Sequence, residues 1–206
     1  MKRSFLGFTI AVSVAAFSSC TFHAKVSYDK ENSDTSSVLK QFDVRSEWKK
    51  NPFTFFDGDG LLLAAGKKDS MNAMTIGWGQ LGTLWGMDRP VVTVFVRKSR
   101  HTDAFMANNE YFTVSGFSDK YSDALRYMGT HSGRDGDKVK ATGLNVEFSE
   151  LGNPIFADAE IVLECKKLYQ APFQPEGFGE VANEVYKKDT SIHNVYIGQV
   201  VNAWCR

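Results

Sequence analysis

Cysteine, proline and histidine are all scarce in this 206-residue chain, with three, five and four residues respectively. Cys20, Cys165 and Cys205 stand too far apart for a zinc ribbon or a redox CxxC pair. Cys165 and Cys205 could pair in an exported protein, but the apolar, strand-like run around Cys165 favours an inert core thiol. His23, His101, His131 and His193 are scattered, and no HExxH helix, nucleophile elbow, Walker loop or GxGxxG fingerprint is present. The runs "DGDG" (57–60) and "DGD" (135–137) lack the remaining ligands and the closing Glu of a calcium loop, so they read as turns and no metal site is assigned. Excess charge is missing too. Lys+Arg and Asp+Glu both number 24, which gives no global footprint of a nucleic-acid partner. Any anion must therefore be held by a local arrangement.

Long apolar runs are also lacking, apart from Leu6–Phe17, which is short for a membrane span. Lys2 and Arg3 precede it, and Ser18, Ser19 and Cys20 follow. The pattern resembles a bacterial lipoprotein signal, although Phe17 stands where Leu is usual; the bland alternatives are an ordinary signal peptide or a buried apolar helix. The resemblance implies cleavage before Cys20, lipidation of that residue, and an exported protein held at a membrane by this anchor alone. The stretch 20–46, with "DKENSDTSSV" at its centre, is polar and without periodicity and reads as a tether. Residues 47–206 then form the folded body. With hydrophobic content of 43% and charged content of 23%, the chain has the composition of a soluble globular domain.

The body is rich in short β-type runs: "LLLAAG" (61–66), "NAMTIGW" (72–78), "PVVTVFVR" (90–97) and "YFTVSGF" (111–117). "LNVEFSE" (144–150), "AEIVLECKKLY" (159–169) and "NVYIGQVVNAW" (194–204) follow. Many short strands at this spacing predict a closed or nearly closed barrel. Short helices are expected over 102–109, 121–129 and 137–143, with Thr102 and Asp137 as N-caps.

Three stretches could carry chemistry. "RKSRHT" (97–102) joins a strand to a helix start, where Arg97, Arg100, Ser99 and Thr102 could meet free backbone N–H groups and hold a phosphate. The bland alternative is a basic, solvated strand end. "NAMTIGWGQLG" (72–82) sets Met74, Thr75 and Trp78 beside a glycine-rich exit, which suits a flat ligand, or is simply a core strand and its loop. "THSGRDGDK" (130–138) is a solvated turn, a cation loop or the wall of an anion site.

"NAMTIGW", "PVVTVFVRKSRHT", "GTHSGRDGDK" and "SIHNVYIGQV", in this order, resemble the flavin reductase-like family, and flavoredoxin-like members most closely. The resemblance covers residues 51–200. It implies a β-rich (α+β) FMN-binding split β-barrel, Greek-key-like with a few short helices, usually a homodimer with flavin near the subunit interface. It implies that Asn72, Met74 and Thr75 lie along the isoalloxazine with Trp78 flanking it. Arg97, Ser99, Arg100, His101 and Thr102 match the phosphate-binding stretch, with Lys98 where many relatives have Pro. Ser132, Arg134 and Lys138 match a further flavin-lining motif, in which Gly136 replaces a usual Val and makes the contact less constrained. His193 matches a His near the flavin and the nicotinamide space, which implies a catalytic positioner. Equally, it could cap a backbone carbonyl at the start of the strand. The implied activity is an FMN-dependent oxidoreductase using NAD(P)H, or an FMN electron carrier with another redox partner; a related split barrel for another flat phosphorylated ligand is the third reading, over which "RKSRHT" and "SGRDGDK" favour FMN.

Overall fold

A computed structural model describes residues 38–206. The expected signal segment and Cys20 lie outside the described residues. In chain order the strands are β1 (Lys40–Gln41), β2 (Leu61–Lys67), β3 (Ser70–Ile76), β4 (Gly79–Thr83), β5 (Pro90–Arg97), β6 (Tyr111–Gly116), β7 (Val146–Phe148), β8 (Pro154–Phe156), β9 (Ile161–Pro172) and β10 (His193–Cys205). The helices are α1 (His101–Asn108), α2 (Ser122–Thr130), α3 (Lys138–Thr142) and α4 (Glu180–Tyr186). None of the described helices is long and apolar enough to cross a membrane.

The main sheet is antiparallel, in the order β3-β2-β6-β9-β10-β5-β4, with β1 added to β10. β7 and β8 form a separate hairpin. This is the β-rich split barrel with small helices that the sequence predicts. β2 is an unbroken apolar run because both of its faces are covered. Leu61, Leu63 and Ala65 join the barrel core with Val92, Val94, Val96, Phe112, Leu163 and Tyr196. Leu62 and Ala64 face a second core with Leu125, Met128, Leu144 and Phe156, where α2, α3 and the β7–β8 hairpin pack. Cys165 is buried in the first core as a free thiol, its pKa pushed up by burial and then by the nearby Glu164 charge.

Glu164 itself is a fully buried carboxylate. It accepts hydrogen bonds from the Ser149 hydroxyl, from Asn153 Nδ2 at 2.7 Å and from Asn202 Nδ2 at 2.6 Å. Lys67 Nζ donates to Asn153 Oδ1 at 2.7 Å. The network fastens the β7–β8 turn to β9 and β10, and its donors offset the cost of burying the charge.

The structure corrects three expectations. The tether ends sooner than residue 46: Lys40 and Gln41 pair with Cys205 and Trp204, and Phe42, Val44 and Trp48 pack on the core. "GQLG" is not a loop but the start of β4, an edge strand whose pairing with β5 overrides its poor β-propensity. Thr102 caps nothing. The α1 N-cap is Arg100, with no side-chain cap, and Thr102 lies inside the first turn. Asp137 does cap α3, accepting from Lys140 N at 3.0 Å.

The register of β10 on β9 shifts between Ile197 and Gly198. A Cβ at Gly198 would lie 2.5 Å from a Phe112 ring carbon and 2.8 Å from Cys165 Cβ, so only glycine lets the strands close there. Gly198→Ala is expected to lower stability by roughly 1–3 kcal/mol through overpacking. Urea unfolding checks this, and an unchanged midpoint would count against it.

Candidate functional site

Two neighbouring cavities hold almost all of the residues singled out in the sequence. The first, of about 140 Å³, lies between β3, the start of α1, the end of α2, the 131–134 loop and Lys138 of α3. Asn72, Met74, Ser99, Arg100, His101, Thr102, Ser132, Arg134 and Lys138 all line it, together with His131. No acidic residue does.

Asn72 Nδ2 donates to Thr102 Oγ1 at 2.8 Å, and both residues are buried. This bond ties β3 to α1 and occupies the Thr102 hydroxyl. The Asn72 carboxamide oxygen faces Gly133 so closely that a Cβ there would lie 2.1 Å away. Glycine at 133 thus lets the loop close on β3. His101 Nδ1 is buried with no partner, and its ring stands edge-on to Phe105. Burial first, then the Arg134 and Lys138 charges, lower the His101 pKa and keep it neutral near pH 7. The Lys138 ammonium is buried and donates to the Met128 carbonyl at 2.9 Å. Burial, then the Arg100 charge, pushes its pKa down to about 8. Arg134 Nη1 donates to the Ser99 carbonyl at 3.3 Å, and Arg134 N to Ser132 Oγ at 3.2 Å. Three cations face one another with no counter-charge in the lining, an arrangement complementary to an anion.

The second cavity, about 150 Å³, is lined by Met74, Thr75, Trp78, Phe95, Arg97, Arg100 and His193. It shares Met74 and Arg100 with the first. Trp78 is half-exposed, with its ring centroid 5.0 Å from that of His193. His193 is buried, and its Nδ1 lies 2.7 Å from the Tyr186 hydroxyl. It bonds a side chain, in place of the carbonyl that a strand-capping role requires. Arg97 is committed elsewhere than the phosphate role implied for it. Its guanidinium meets the Asp189 carboxylate at 2.5 Å and the Ser191 carbonyl at 3.0 Å, bracing the segment after α4. Ser99 Oγ meets Ser191 Oγ at 3.2 Å. Sequence reasoning missed Tyr186 and Asp189, which no motif marks, and gave Ser191 no role although it opens "SIHNVYIGQV"; the Arg97 and Ser99 partners of Asp189 and Ser191 lie about 90 residues away. A larger apolar cavity of about 330 Å³, between the 44–52 segment and β4, holds none of the candidate residues.

A family model for the flavin reductase like domain matches residues 59–206. The chain therefore belongs to the flavin reductase-like domain family. Among solved structures it is similar to flavoredoxin from Methanosarcina acetivorans, at 24% identity and a TM-score of 0.57 over 71% of this chain and 67% of that one. It is also similar to an FMN-binding domain of a flavin reductases-like enzyme from Shewanella baltica, at 18% identity and a TM-score of 0.58 over 81% and 76%. A Thermus thermophilus FMN-binding protein with bound 1-cyclohex-2-enone gives 22% identity and 0.54 over 70% and 68%. At these identities the likeness is one of fold. No curated protein sequence matches the chain.

The environment of His193 sets a pH dependence. Burial first, then Arg97, lowers its pKa to about 4, with Asp189 opposing and Arg100 adding to the effect. The unfolded chain, at an ordinary value of about 6.5, binds the proton more readily. The stability that depends on neutral His193 is complete above about 6.5 and is lost as pH falls towards 4. Thermal unfolding of wild type should weaken from pH 7 to pH 5, and less steeply in His193→Gln. Parallel profiles for the two would contradict this.

Proposed function

We propose that this chain binds FMN across the two joined cavities and works as a flavin-dependent oxidoreductase. The observation that carries this reading is that a cation-rich, acid-free cavity shares Met74 and Arg100 with a neighbouring cavity lined by Thr75, Trp78, Arg97 and His193. Ser99, Arg100, His101, Ser132, Arg134 and Lys138 would hold the phosphate. Asn72, Met74, Thr75 and Trp78 would hold the ring. The fit is supported by the unpartnered, buried His101 Nδ1 and by the close Gly133 turn beside it. When bound, FMN supplies the capacity to take up a hydride or electrons from a donor and release them to an acceptor. The chain's own part is to orient the ring, neutralise the phosphate and keep an uncharged His193 beside Trp78.

NAD(P)H is the donor this reading takes first, in a homodimer. The N-terminal pattern of Lys2, Arg3, an apolar run and Cys20 favours a second reading, an FMN electron carrier anchored outside the cytosol by lipidated Cys20 and served by another redox partner. NADH and NADPH are cytosolic reductants, so the two readings separate experimentally.

Purified protein should take up FMN and turn yellow. Arg100→Ala should weaken FMN by about tenfold to a hundredfold, as expected for a lost charge-assisted hydrogen bond, and riboflavin much less. Equal loss for both ligands would refute the phosphate assignment. Bleaching by NADH or NADPH without oxygen supports the reductase, and reduction by dithionite alone supports the carrier. In cell fractionation, Cys20→Ala should release the protein from membranes. A variant that stays membrane-bound like wild type would exclude lipidation at Cys20.

A further inference from the structure

The segment between β9 and β10 carries a side chain that the proposed function leaves unused. Helix α4 ends at Tyr186, whose ring stacks on Phe178 with centroids 5.0 Å apart and planes 9° apart. The Arg97 guanidinium lies 5.6 Å from the same ring centroid while holding Asp189 and Ser191. Two aromatic contacts thus fix the phenol, and its hydroxyl stands 2.7 Å from His193 Nδ1. The imidazole lines the cavity beside Trp78, and among the described residues no protein group bonds its Nε2.

We propose that Tyr186 is a positioning residue: it donates its hydroxyl proton to His193 Nδ1, fixes the ring proton on Nε2, and so aims one uncharged N–H donor at a carbonyl-type oxygen of the molecule that exchanges electrons at this site. A part-buried phenol proton is costly to leave without an acceptor, and His193 Nδ1 is the acceptor within reach. Were Nδ1 to carry the proton and donate it, the phenol proton would be stranded. The charged or titratable groups facing His193 are Arg97, Arg100, Asp189 and Tyr186, and burial with the two arginines keeps the imidazole neutral. An uncharged Nε2–H can serve a neutral carbonyl oxygen without adding another cation beside Arg97 and Arg100. The matching class is a planar molecule with an amide, quinone or enone oxygen. A nicotinamide carboxamide and a quinone share that chemistry.

The second half of the inference rests on the FMN reading above, so the test has two arms. The first needs no flavin: long-range proton–nitrogen NMR of His193 in the full chain. Wild type should show the Nε2–H tautomer. Tyr186→Phe, which keeps the ring packing, should give a tautomer mixture and a raised His193 pKa, because a donor into Nδ1 opposes protonation. An Nδ1–H tautomer in wild type, or a tautomer and pKa unmoved by Tyr186→Phe, overturns the proposal whether or not FMN binds. The second arm uses FMN-loaded protein, with NADH as donor and, separately, menadione as acceptor of dithionite-reduced protein. Tyr186→Phe should lower kcat/KM about tenfold for the partner whose oxygen His193 meets, with FMN affinity unchanged. Loss with NADH alone identifies the carboxamide, and loss with menadione alone identifies the quinone. Unchanged kinetics with both, or a loss of FMN affinity in proportion, overturns the role.

Discussion

The antiparallel register that sets His193 of β10 opposite Arg97 of β5 is the contact on which the cavity beside Trp78 depends. It brings residues nearly a hundred positions apart in sequence to one cavity wall. It also lets Arg97 reach the carboxylate and carbonyls of the segment leading into β10, which holds α4 against the barrel. β10 can impose this register because it is long and central, paired with β9 on one side and β5 on the other. A one-residue slip would turn His193 to the opposite face of the sheet and separate it from Trp78 and Tyr186.

At the other end, electrostatics follow from burial. Arg100 and Arg134 are exposed, and exposed cations alone hold an anion weakly. Lys138 is different because its ammonium is buried against the end of α2, with a pKa lowered to about 8. Burial, then the Arg100 charge, disfavours the charged lysine, and an anion placed among these groups would favour it. The neutrality of His101 belongs to the same balance, since a further cation would add to the repulsion. The Asn72–Thr102 bond holds the two walls of this pocket together without introducing any charge.

Much of this was legible in the sequence, for particular reasons. β5 falls where its β-branched run begins and ends, at 90–97, and α1–α3 lie within a residue of the helices expected from short polar–apolar patterns. The Asp137 cap was legible because capping is a local interaction. The residues grouped by the family resemblance do line two neighbouring cavities, because the motifs that carry them run along β3, end β5, start α1 and precede α3. β4 was hidden by its glycines, since a strand specified by its neighbour leaves little local signal. The Thr102 assignment failed because α1 starts a residue earlier and the Asn72 amide of β3 takes the hydroxyl. Arg97 carried no sign of its commitment to Asp189, and α4 is a seven-residue helix without a marked apolar stripe. Non-local pairings of this kind are written in the fold, not in a window of sequence.

The central claim is that two neighbouring cavities, which share Met74 and Arg100, form one ligand site. Chemical-shift mapping of the full chain during titration with FMN, and in parallel with riboflavin, tests it most directly. FMN should perturb the amides of His101, Thr102, Gly133 and Arg134 together with the Trp78 indole and His193, all at the same ligand ratio. Riboflavin should perturb the Trp78 and His193 end and leave the Gly133–Arg134 end nearly unmoved. Perturbation confined to the apolar cavity beside Trp48 and Leu81, or identical maps for the two ligands, would contradict the account.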